Sequence, residues 1–216
     1  SAGAKRHHNL FVARSDDKKI MVAFGTGTGG FQTPVSYDAH SPFNRVSLGD
    51  VNNDGKVDIV YHGWGETKFG LMLNNGSGAF PAAPQQISIG GGMMMLLALA
   101  DYTGDGKLDV FATGNNCNLG GPTCFYGVLV QGNGNGTFQT PPTANYIDGL
   151  LNNDILDTNG DNVPPDLNND GKPDVVIFNN NGENNLTTLL STGGGVTNRR
   201  RWIAASGTSR ATLNID

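Results

Sequence analysis

A nonapeptide that occurs three times restricts this chain more than any other feature: DVNNDGKVD at 50–58, DYTGDGKLD at 101–109 and DLNNDGKPD at 166–174. All three obey DxxxDGKxD, and each runs at once into a β-rich stretch, IVYHG, VFATG or VVIFN. A unit that recurs in one context marks a repeat architecture, in which each unit buries its apolar face against its neighbour. Behind each stretch come a second strand and a glycine-rich turn, in FGLMLNNGSGAF, YGVLVQGNGNGTF and NLTTLLSTGGGV. A fourth copy of this second half stands near the N-terminus as LFVARSDDKKIMVAFGTGTGGF.

Four strands per repeat follow, lettered A to D. The A strands precede the aspartate loops as RVSLGD, LLALAD, NDILD and, at the end of the chain, ATLNID; the B strands are LFVAR, DIVYHG, DVFATG and DVVIFN. The C strands start at Lys19, Phe69, Tyr126 and Asn185, and the D strands are PVSYD, QQISIG, TANYI and RRWIA. Apolar runs bounded by Gly, Asn and Asp predict short strands, and no Ala/Glu/Lys/Leu-rich stretch predicts a helix. Composition agrees: Glu occurs only as Glu66 and Glu183 against 17 Asp, and 32 of 216 residues are Gly, about twice the usual ~7%. No apolar run reaches the roughly 18 residues that span a bilayer; Met93 to Ala100 reads as a buried strand.

The chain enters on a B strand and finishes on an A strand. Asp216 falls in the register of Asp50 and Asp101, because 51 residues separate Asp50 from Asp101 and 50 separate Asp166 from Asp216. Residues 211–216 are therefore expected to pair beside residues 9–14 and remove two open sheet edges. The expected partner is the N-terminus of the same chain; the alternative is that of a second chain, which gives a homo-oligomer.

These residues resemble the FG-GAP/VCBS repeats, the blades of integrin α-subunit-type propellers and of many secreted proteins. The resemblance rests on the D-x-[N/T]-x-D-G-K-x-D loop between strands A and B and on the N-G-x-G-x-F turn after strand C, here NNGSGAF and GNGNGTF. It implies an all-β fold, a β-propeller of four-stranded blades. One domain over 1–216 is expected, with repeats near 9–48, 49–96, 97–148 and 149–210 and a closing strand at 211–216. It also implies a secreted or cell-surface location and a glycan- or protein-binding role of the lectin or adhesion type.

Within each loop the odd positions carry oxygen. Asp50, Asn52, Asp54, the Lys56 carbonyl and Asp58 occupy positions 1, 3, 5, 7 and 9; Asp101, Thr103, Asp105, the Lys107 carbonyl and Asp109 do so in the second loop, and Asp166, Asn168, Asp170, the Lys172 carbonyl and Asp174 in the third. Three carboxylates converging on one point repel one another, and a divalent ion relieves that repulsion. A flexible set made only of oxygens favours Ca2+ over Mg2+, and Gly at position 6 permits the sharp turn. Thr103 is a weaker donor than Asn, so the second site is expected to bind less tightly. Just upstream of the third loop, DTNGDNVPPD repeats the 1, 3, 5 pattern with Asp157, Asn159 and Asp161 but has Pro165 at position 9. It is either an insertion or an adjoining ion site.

Catalysis has no support in the sequence. The four histidines form no HExxH, no serine stands in GxSxG, and the paired aspartates are committed to the loops. The net charge of −5 sits largely in those loops, and Arg199 to Arg201 is too small a basic cluster for nucleic acid. Cys117 and Cys124 flank CNLGGPTC, a hairpin-like loop, and are expected to form a disulfide. Aromatic residues are the candidate ligand-binding surface, because sugar rings stack on such faces: Trp64, Tyr126 and Trp202 above all, with Tyr61 and Trp202 able instead to pack between blades. Two other roles are open, a non-catalytic propeller attached to a polysaccharide-degrading enzyme and a structural subunit that assembles by strand complementation.

Overall fold

The computed structural model describes residues 9–14, 18–63, 65–76, 79–80, 83–89, 92–115, 125–139, 153–155, 165–179, 185–193 and 196–203. Within them the chain is all-β, with fourteen strands in four antiparallel sheets. Sheet I holds β1 (Asn9–Arg14), β2 (Lys19–Phe24) and β3 (Val35–Asp38). Sheet II holds β4 (Arg45–Gly49), β5 (Asp58–His62), β6 (Lys68–Met72) and β7 (Gln85–Ser88). Sheet III holds β8 (Met93–Ala100), β9 (Asp109–Asn115) and β10 (Phe125–Val130). Sheet IV holds β11 (Asn153–Ile155), β12 (Val175–Asn179), β13 (Asn185–Ser191) and β14 (Val196–Ile203).

Each sheet is a meander, with sequential strands as hydrogen-bonded neighbours, as short antiparallel strands joined by tight turns require. These strands fall on the A-to-D series read from the sequence. The expected strands in TANYI and ATLNID lie outside the described residues, and with them the closing strand at 211–216. Among the described residues no helix is long and apolar enough to cross a membrane.

Three cores lie between successive sheets, and alternation along a strand divides its residues between two of them. Ile59 and Tyr61 of β5 pack with Ile20 and Val22 of sheet I, whereas Val60 joins Val110, Ala112 and Val128 of sheet III. On β9, Phe111 turns the other way, onto Val175 and Ile177 of sheet IV. A strand with both faces covered has no polar side, which is why IVYHG and VFATG read as continuous apolar runs. Strand β4 runs beside β8, and β8 beside β11, so the first strands of sheets II to IV stand side by side in one row. Gly49 ends β4 where a Cβ would stand 2.5 Å from Leu108 Cδ1 and 2.9 Å from Leu99 Cδ2, and only a bare Cα permits that approach.

One buried histidine gives this packing a pH signature. His62 is 1% exposed, its Nε2 has no hydrogen-bond partner, and it stands directly across from Arg45 in the β4–β5 ladder. Burial pushes its pKa down from 6.5 to about 4. The folded state therefore holds His62 neutral where the unfolded chain binds a proton. Stability from this residue is full above pH 6.5 and falls as the pH drops from 6.5 towards about 4. The loss over that window is about 3 kcal/mol, since a tenfold difference in proton affinity between the folded and unfolded chain is worth ~1.4 kcal/mol. Urea unfolding at several pH values should show this slope in the parent chain and not in His62→Gln; equal slopes in the two would refute it.

Candidate metal centres

The three nonapeptides fold alike. In the first loop the amide of Asp54 donates to Asp50 Oδ1 at 3.0 Å and to Asn52 Oδ1 at 3.2 Å, and Gly55 N donates to Asp50 Oδ2 at 2.7 Å. In the third, Asp170 N donates to Asp166 Oδ1 at 3.2 Å and Asn168 Oδ1 at 3.1 Å, and Gly171 N to Asp166 Oδ2 at 2.8 Å. The second keeps the bonds to Asp101, from Asp105 N at 3.0 Å and Gly106 N at 2.8 Å. There Thr103 replaces Asn, and its Oγ1 is buried without a hydrogen-bond partner. In the first and third loops the oxygens of positions 1 and 3 are thus gathered around the amide of position 5, and in the second the position-1 carboxylate alone is.

Two left-handed residues make the turn possible. Position 6 has φ of +83°, +81° and +82° at Gly55, Gly106 and Gly171, as the sequence predicts. Position 4 is left-handed too, with φ of 57° at Asn53, 71° at Gly104 and 57° at Asn169. The Asn/Gly/Asn choice at that position was the available signal, since those types tolerate this region best.

Position 5 faces solvent and carries a counter-charge. Lys56 Nζ stands 3.3 Å from Asp54 Oδ2, Lys107 Nζ 2.8 Å from Asp105 Oδ2 and Lys172 Nζ 3.8 Å from Asp170 Oδ2. The Lys107 ammonium holds the Asp105 carboxyl below its ordinary pKa. Such half-exposed pairs contribute little to stability, about 0–1 kcal/mol.

Position 9 differs in kind. Asp58, Asp109 and Asp174 are each 0% exposed, and each carboxylate accepts two backbone N–H bonds that join distant parts of its repeat. Asp58 takes Val51 N at 2.9 Å and Asn74 N at 2.8 Å; Asp109 takes Thr103 N at 3.0 Å and Gly132 N at 2.9 Å; Asp174 takes Leu167 N and Ser191 N, both at 2.8 Å. The last aspartate of each loop therefore clamps the loop to the residue that opens the glycine-rich turn. Burial pushes all three carboxyls up in pKa, against the pull of the N–H bonds.

The donors suit a hard cation in chemistry: all are oxygen, and the unpartnered Thr103 Oγ1 stands at one ligand position. Asp58 accepts one N–H on each oxygen, which leaves a lone pair on each. Among the described residues no three His, Cys, Asp or Glu side chains gather at metal-holding distance, and position 9 points inward to its amides. The carbonyls of Lys56, Lys107 and Lys172 complete the set read from the sequence.

Of the other expected site residues, Tyr126 requires correction. It is 3% exposed, belongs to the core between sheets II and III, and donates its hydroxyl to Gly92 O at 3.2 Å, so it presents no face to a ligand. It lies on β10, whose residues 126–130 are all buried. Tyr61 likewise packs between sheets. Trp64, the side chain of Trp202, Asp157, Asn159, Asp161, Cys117 and Cys124 lie outside the described residues.

Comparison with known proteins agrees with the loops. Residues 50–112 match the model of the FG-GAP-like repeat. Cartilage acidic protein 1 of Xenopus tropicalis is 34% identical over 117 residues, a stretch that covers 53% of this chain and 16% of the relative. The matched repeat begins at Asp50, takes in the first two aspartate loops and ends within β9. Residues 50–112 thus match the FG-GAP-like repeat that the aspartate loops resemble.

Proposed function

We propose that this chain is a calcium-stabilised binding module of an extracellular protein, built as a run of propeller blades and without chemistry of its own. One observation carries the reading: three loops separated in sequence fold around the same position-1 carboxylate, with left-handed backbone at positions 4 and 6 each time. Turn formation alone does not call for a carboxylate at both position 1 and position 5 each time. Asp50, Asn52 and Asp54, with their counterparts in the other loops, would hold Ca2+ together with the position-7 carbonyls. The ion supplies fixed positive charge that locks the loop. The extracellular placement draws on the relative, whose name refers to cartilage. Its ligand would be a glycan or a protein surface.

Calorimetric titration with Ca2+ should return three loop sites, with the second weakest because Thr103 replaces Asn. Fewer than two sites would overturn the reading. Thermal unfolding separates ligand from scaffold. At 100 times Kd an ion adds roughly 2.7 kcal/mol per site. Asp105→Ala should therefore lower Tm in calcium by a few degrees and change little in chelator. An equal loss in both buffers would mean that Asp105 is structural.

A further inference from the structure

In all three loops the lysine at position 7 meets both oxygens of the carboxylate at position 5. Its amide donates to Oδ1, from Lys56 to Asp54 at 3.0 Å, from Lys107 to Asp105 at 3.0 Å and from Lys172 to Asp170 at 2.9 Å. Its ammonium faces Oδ2 of the same carboxylate, at 2.8 Å in the second loop and at 3.3 Å and 3.8 Å in the first and third. The position-3 amides of Asn52 and Asn168 add a bond to that Oδ2, at 3.1 Å and 3.2 Å, where the second loop has the Thr103 hydroxyl instead.

The stem of each lysine is seated as well, across a left-handed glycine in the turn after β6, β10 or β13. A Cβ at Gly76 would stand 2.8 Å from Lys56 Cδ, one at Gly134 2.9 Å from Lys107 Cδ, and one at Gly193 3.6 Å from Lys172 Cε. Lys172 also touches the preceding loop, where a Cβ at Gly104 would lie 3.0 Å from its Cε. An ammonium on a four-carbon stem is ordinarily free among many rotamers. Here the bare glycine leaves a track for the stem, and the head arrives on the same carboxylate each time.

We propose that this lysine is a tethered rival of the metal ion: its ammonium takes the position-5 carboxylate, and Ca2+ displaces it on binding. The inference rests on the calcium reading and adds to it a residue that sets the affinity of each loop. One side chain and its own backbone then play opposed parts. The carbonyl completes the oxygen set, and the ammonium fixes the ion concentration at which the set fills. Two cations on one carboxylate repel each other. The ammonium can leave, because the pair is partly exposed and water solvates the freed charge well. A divalent ion that reaches several oxygens at once prevails, by a margin the lysine narrows. That margin is smallest in the second loop, where the pair is closest and Thr103 is the weaker donor. Such rivalry moves a loop towards the weak calcium affinities typical of extracellular modules.

Calcium titration of the full chain, followed by NMR at the amides of Gly55, Gly106 and Gly171, gives one reporter per loop and tests this. Lys107→Met removes the ammonium and keeps an unbranched stem over Gly134. It should raise the calcium affinity read at Gly106 about threefold or more, the worth of a partly exposed ion pair, and leave Gly55 and Gly171 unmoved. Lys107→Arg keeps the charge and should bind calcium no more tightly than the parent. Lys68→Met removes the same charge from an exposed site at the far end of β6, and should shift none of the three reporters. Equal calcium affinity in the parent and Lys107→Met, or an equal gain from Lys68→Met, would overturn the inference and leave the calcium reading standing. No response of any loop amide in either protein would overturn the calcium reading, and the rivalry with it.

Discussion

Asp109→Ala should cost about 4 kcal/mol of folding stability, in calcium and in chelator alike, because it strands two buried amide donors at once. The carboxylate is wholly buried and accepts Thr103 N and Gly132 N, one from the aspartate loop and one from the turn after β10. Each orphaned buried donor costs ~1–3 kcal/mol, and the cavity adds to that. For a chain of this length the loss should lower Tm by roughly 10 °C. Asp109→Asn should recover little, since the amide offers one acceptor where two are needed and turns a donor towards the second N–H. Thermal unfolding followed by circular dichroism in both buffers is the measurement. A loss seen only with calcium present would make Asp109 a ligand first and a clamp second, and would reverse the assignment.

That contrast between positions 5 and 9 was not legible in the sequence, where both are aspartates at odd places in one motif. Nothing in DxxxDGKxD separates the carboxylate that faces solvent from the one that faces inward. The distinction comes from the residues six to seven behind it and 16 to 23 ahead, whose amides it receives. The strands were legible because each apolar run is short and bounded by Gly, Asn or Asp, and because three copies of one unit fix the phase of the fourth. Tyr126 was misread for a related reason. A ring beside a cysteine loop looks exposed, but it opens a strand sandwiched between two sheets, and alternation has no solvent face to report there.

Tyr61→Ala should also cost about 4 kcal/mol, the usual range for emptying a buried aromatic site. The ring is wholly buried in the core between sheets I and II, 5.4 Å from the Phe43 ring and 5.3 Å from that of His40. Its hydroxyl accepts His40 N at 3.2 Å and shares a 2.8 Å hydrogen bond with His40 Nδ1, so Tyr61→Phe should cost about 1 kcal/mol. Its cross-strand partner is Gly70, and a Cβ there would come within 2.1 Å of Tyr61 Cζ. The ring lies across the space a side chain would need. Gly70→Ala should therefore cost about 2 kcal/mol in the parent, by forcing the ring off its site. In a Tyr61→Ala background that clash is gone, and the same substitution should cost close to nothing. The coupling of roughly 2 kcal/mol, read from urea unfolding of the four proteins, is the decisive quantity. Additive losses would mean that Gly70 is required for its backbone and not for the ring that covers it.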